Sequence, residues 1–119
     1  MLQILEESKG DLVAFRISAH VDKQDYDIML PLLQERIQAH GKVKVYAEVQ
    51  DVQEYSLQAL RDEVTFDLKH ANDFSRVAIV GNQKWLDWLV TVAKPFTTAD
   101  VRYFDFSERS QAWEWIHTS

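Results

Sequence analysis

Few residues in this chain have the types and spacing that chemistry needs. Asp67 and His70 stand three apart, on one face of a helix if this stretch is helical, and Asp73 follows closely. Two carboxylates and an imidazole could hold a divalent metal, but a solvated polar helix face accounts for the same residues more simply, and no metal is expected. Ser56 stands where a helix would begin, a position at which a phosphate is electrostatically favoured; plain N-capping is the stronger reading of it. Glu48 falls beside Tyr46 in the middle of an alternating strand and could pair with Arg16 if their strands are neighbours. That pattern is read as a sheet with one partly wet face rather than as a ligand site. His40 and His70 would end helices, where partial positive charge suits the dipole, and His20 has no nucleophile to serve.

Signatures of catalysis are missing from the sequence. Three glycines cannot build a phosphate-binding loop or a dinucleotide fingerprint, and there is no GxSxG elbow and no HExxH pair. The absence of cysteine removes disulfides, thiolate metal sites and a thiol nucleophile. Neither an enzymatic activity nor a cofactor is expected. A net charge of −6 repels a phosphate backbone, so nucleic acid is not an expected partner.

The strongest functional candidates are apolar. In KWLDWLVTVAKPF, residues 84–96, a helix at 100° per residue places Trp85, Trp88, Leu89 and Val92 on one stripe and Leu86, Val90 and Ala93 on a second. Only Lys84, Asp87, Thr91 and Lys94 remain as a polar seam. A helix apolar almost all round needs more than one neighbour: a sheet on one side, and on the other a second helix, a partner chain, a lipophilic ligand or a membrane surface. Tyr55, Phe66, Trp85, Trp88, Leu89 and Phe96 are therefore the candidate ligand- or membrane-binding set. Core filling is the competing explanation, and for Trp88 and Leu89 it is the stronger one. Lysines bracket the helix as they would at a bilayer interface, although two or three of them on an acidic protein allow only transient contact.

The elements that must position these residues follow from periodicity. Residues 2–7 read as a strand, Ser8–Asp11 as a hairpin loop, and LVAFRISAHV as a second strand with a single buried face formed by Val13, Phe15, Ile17, Ala19 and Val21. Asp22 caps a helix ended by Gly41. Pro31 within it predicts either a kink or an irregular first turn, with the regular helix starting near Leu30. VKVYAEV is the third strand, Ser56 opens a helix with the seam Leu57, Leu60, Val64, Leu68 and Ala71, and RVAIVG at 76–81 is a buried strand. Pro95 ends the helix opened by Lys84. VRYFDF at 101–106 is the last strand, and Ser107 caps a final helix packing Ala112, Trp113 and Ile116. The order β-β-α-β-α-β-α-β-α over one 119-residue domain implies an α/β fold with a mostly parallel sheet and one antiparallel strand.

This order, with AHVDKQDYDIMLPLLQERIQAHGKVKVYAEV at 19–49, SLQALRDEVTFDLKHANDFSRVAIVGNQKWLDWL at 56–89 and PFTTADVRYFDFSERSQAWEWI at 95–116, resembles the STAS fold of anti-sigma-factor antagonists. It is most similar to the SpoIIAA-like group, which is also likened to CRAL-TRIO lipid-binding domains. True antagonists carry a phosphorylatable residue in a DxSGLG-like pattern after the third strand. Here QDVQEYSLQAL stands there, with Ser56 as the phosphoacceptor equivalent and the glycines missing. The resemblance implies a non-enzymatic binding module for a lipophilic small molecule or lipid. The alternative is a STAS-type regulatory module that docks a protein partner or pairs with itself as a homodimer, a surface that charge at Leu86 or Trp85 would break. With no leader-like or membrane-spanning stretch, the expected location is the cytoplasm, with peripheral contact at a membrane surface.

Overall fold

The computed structural model describes residues 2–18, 23–51, 73–93 and 99–117. Five strands form one sheet in sequence order: β1 (Leu2–Ile4), β2 (Leu12–Ser18), β3 (Val43–Gln50), β4 (Phe74–Gly81) and β5 (Asp100–Asp105). β1 and β2 are antiparallel, and every later pair is parallel. The hairpin turn is closed by Ser8, whose Oγ donates to the Ala14 carbonyl at 2.8 Å and accepts from its N–H at 2.7 Å. Gly10 takes φ +60° there, which suits a residue without a Cβ.

Helix α1 (Lys23–His40) joins β2 to β3, and α2 (Lys84–Ala93) joins β4 to β5. Right-handed crossovers moving in one direction along the sheet place both on the same face. There Val13, Phe15, Val45 and Ala47 pack with Leu33 of α1, while Leu86 meets Val49, Ile79 and Tyr103. Val90 of α2 joins Ala99 and Val101. Gly41 ends α1 at φ +82°, its N–H bonded to the Ile37 carbonyl.

The second face carries α3 (Arg109–His117), entered through a 3-10 turn at Phe106–Glu108. Ala112 and Ile116, one turn apart and both fully buried, lie with Leu12, Ala14, Tyr46, Ala78 and Val80. The single buried face expected for the second strand is thus corrected: Leu12 and Ala14 are buried along with Val13 and Phe15. Small residues on β2 and β4 let α3 lie close, and central parallel strands are covered on both faces.

Three further expectations change. α1 is regular from Lys23 and passes through Pro31, which excludes an irregular first turn ahead of Leu30. Pro31 is on the exposed side, where water can take the carbonyl bond that its missing N–H leaves free. The cap of the last helical segment is Asp105, not Ser107. Asp105 accepts the Ser107 N–H at 3.0 Å while Glu108 Oε1 accepts the Asp105 N–H at 3.0 Å, a reciprocal capping box. β1 stops at Ile4, short of the expected strand over 2–7.

Candidate functional site

Alternation along β3 directs Tyr46 and Glu48 to the α3 face, where the expected wet surface is replaced by burial. Glu48 is 3% exposed and Tyr46 is fully buried. An ionised carboxylate is stable there only with partners, and Glu48 has three. Arg16, its register partner on β2, donates from Nε to Oε2 at 2.9 Å, as the sequence leads one to expect. Tyr46 donates its hydroxyl to Oε1 at 2.7 Å. Arg109, the first residue of α3, brings Nε to 3.1 Å from Oε1.

These contacts set the protonation states. Burial alone would raise the Glu48 pKa, but the hydrogen bonds from Tyr46 and Arg16, and the charges of Arg109 and Arg16, outweigh it and hold the group below the usual carboxylate range. Tyr46 moves the opposite way, raised by burial and then by its bond to the Glu48 carboxylate. With every partner engaged in holding Glu48 ionised, the network suits anchoring α3 to the sheet rather than proton transfer.

Aromatic contacts extend the anchor. Trp113 stacks on Tyr46 with ring centroids 3.6 Å apart and planes 18° apart. Further along α3, the Trp115 ring lies under two guanidinium groups, Arg102 at 4.8 Å and Arg76 at 5.3 Å, and its carbonyl accepts from Arg76 Nη1 at 2.8 Å. At the amino ends of β2 and β3, a cleft of about 610 Å³ is lined by Glu6, Glu7 and Asp11, by Lys9 and Lys44, and by Leu12, Ile116 and His117.

On the opposite face, the second stripe of α2 is the one that meets the sheet: Leu86 is fully buried and Val90 nearly so. Lys84, Asp87 and Thr91 are exposed, as the polar seam requires, and the Thr91 hydroxyl donates to the Asp87 carbonyl. Trp85, Trp88 and Leu89 belong to α2, whose backbone is described and whose side chains at these positions are not. Tyr55, Ser56, Phe66 and Phe96, with Asp67 and His70, lie outside the described residues. Among the described residues no cluster of His, Asp and Glu is placed to hold a metal, and no helix is long and apolar enough to cross a membrane. Arg109 and Trp113, the residues that complete the Glu48 site, were not singled out from the sequence for that site.

A family model described as SpoIIAA-like matches residues 12–117. The chain belongs to the SpoIIAA-like family. A solved structure of similar fold is that of an uncharacterized protein of the DUF3478 family from Shewanella loihica PV-4. It has a TM-score of 0.71 and 24% identity, and the match covers 97% of this chain and 93% of that one. Comparison with curated proteins gives no match. The SpoIIAA-like and STAS fold family is generally non-enzymatic. Membership supports a binding or regulatory module.

Proposed function

We propose that this SpoIIAA-like chain is a non-enzymatic binding module for a lipophilic small molecule or lipid, held against α2 and touching membrane surfaces transiently. One observation carries the reading: the sheet takes up Leu86 and Val90. At 100° per residue, positions 85, 88 and 92 then fall about 120–180° around the helix from the sheet-facing direction. The tryptophan stripe is proposed to use the side of α2 away from Leu86 and Val90. Tyr55, Phe66, Leu89 and Phe96 are the further residues proposed to contribute, and the likeness of the family to CRAL-TRIO domains supports a lipophile.

The test is a native mass spectrum of freshly purified protein without detergent, repeated on Trp85→Ala and Trp88→Ala. The expected result is a reproducible extra mass that leaves on activation and is lost in both variants, with circular dichroism unchanged. A clean apo spectrum of the unaltered chain, with no vesicle binding, would overturn the reading.

Membership of the family favours a second reading, a STAS-type module acting through a protein partner or a second copy of itself, with Ser56 as the position equivalent to the phosphoacceptor. A clean apo dimer in the same spectrum would support it. The variant to use is Trp85→Glu. Charge at Leu86, which sequence reasoning also suggested, would break the packing of α2 on Val49 and Tyr103.

A further inference from the structure

The Glu48 network holds more positive charge than it uses. Two guanidinium groups, those of Arg16 and Arg109, face the one Glu48 carboxylate. Arg16 meets Glu48 through Nε, and among the described residues neither of its Nη nitrogens makes a hydrogen bond. Arg109 also approaches through Nε, with its guanidinium carbon 5.1 Å from the Phe106 ring. Both side chains are substantially exposed, Arg16 at 38% and Arg109 at 48%, while the carboxylate that holds them is buried. The arginines are therefore fixed from below and open from above.

The setting fits a ligand. Arg16 and Glu48 stand near the carboxyl ends of β2 and β3, the end of an open α/β sheet at which ligands gather. Because both arginines hold the same carboxylate through Nε, those atoms are at most about 8 Å apart, which leaves the Nη groups of the two side chains close enough for one tetrahedral oxyanion to engage both. The start of the helical segment is already capped by Asp105 and Glu108, so the binding capacity rests on the arginines and not on helix amides. We infer that Arg16 and Arg109, pinned by Glu48, form a site for a phosphate monoester on the α3 face of the sheet, the face opposite α2. A dianionic phosphate with three acceptor oxygens matches two separate guanidinium forks better than a carboxylate does.

Titration with inorganic phosphate at low ionic strength, followed through the arginine Nε–H signals in ¹H–¹⁵N spectra, tests this. Saturable shifts of Arg16 and Arg109 are expected. Binding should weaken about tenfold in Arg16→Lys or Arg109→Lys, which keep the charge on Glu48 and lose the fork, and should be unchanged in Lys42→Gln, an exposed loop cation. Circular dichroism checks that each variant folds. A parallel titration with phosphatidylcholine vesicles containing phosphatidic acid separates the sources. Binding to both probes supports the site and identifies a lipid headgroup, whereas binding to phosphate alone supports it and identifies a soluble ligand. Shifts that stay linear, that acetate reproduces at equal strength, or that Lys42→Gln abolishes would overturn it.

Discussion

The Trp113 ring lies flat on Tyr46, centroids 3.6 Å apart, so that the C-terminal helix is joined to the middle strand by a stacked pair directly beside the Glu48 carboxylate. Tyr46 is fully buried and Trp113 only partly. The stack thus shields the Tyr46–Glu48 hydrogen bond from water, where a lower local dielectric strengthens it.

Trp113→Ala should cost about 2–3 kcal/mol of folding stability, less than a fully buried tryptophan because part of the ring is already solvated. Trp113→Phe should restore more than half of that. Urea denaturation checks both. A loss below about 0.5 kcal/mol for the alanine variant would show that the stack contributes little.

How much of this was legible in the sequence divides along the two faces of the sheet. Period-two alternation in β2 and β3 places Val13, Phe15, Val45 and Ala47 on a buried face, and the Arg16–Glu48 pairing follows once those strands are taken as neighbours. The other face was misjudged because its cover comes from the far end of the chain. Tyr46 and Glu48 look like solvent-facing residues until Arg109, Trp113 and Ile116 are laid over them, and nothing local to VKVYAEV signals that helix. The capping error is local: Asp105 and Ser107 are both good caps, and Glu108, three residues after Asp105, is the capping-box signal that decides between them. The aromatic set around Tyr55 and Phe66 stays a proposal, since those residues lie outside the described ones.

Gly81 ends β4 where α2 folds back onto the sheet, and an added Cβ would run into Leu86 Cδ1 and lie 3.1 Å from the Val49 carbonyl oxygen. Its own carbonyl accepts the Tyr103 hydroxyl at 3.0 Å, so a shift there propagates to β5. Gly81→Ala should destabilise by about 1–3 kcal/mol through overpacking. In a Leu86→Ala background the same change should cost less than half as much, because the side chain it strikes has been removed. A double-mutant cycle measures this directly. Equal costs in the two backgrounds would mean that strain against Val49 dominates.

Pro31 lies inside α1 and is exposed. Replacing it with alanine restores a backbone N–H and removes the ring from the preceding turn, while the unfolded chain gains freedom. The first effect is the larger, so Pro31→Ala should stabilise by about 1–2 kcal/mol, less than the full helix-interior penalty because α1 has already adapted to the ring. Thermal unfolding followed by circular dichroism should show a raised midpoint. A lowered midpoint would mean that the local shape set by Pro31 is needed for α1 to dock on the sheet through Leu33.

Glu48 gives the fold a specific dependence on pH. Its pKa in the folded chain lies below the ordinary glutamate range. The stability it contributes is therefore complete above that range and is lost as pH falls through the folded value. Glu48→Gln keeps the shape, removes the charge and leaves Arg16 and Arg109 with one acceptor oxygen between them in place of a shared anionic partner. Because both arginines reach solvent, the cost should be about 1–3 kcal/mol near neutrality, less than for a fully buried pair. Urea midpoints collected from about pH 7 down to about pH 3 should show the two proteins converging as the unaltered chain loses the Glu48 contribution. Curves that stay parallel across the acid range would mean that the network stabilises α3 by shape and hydrogen bonding alone, with the charge contributing nothing.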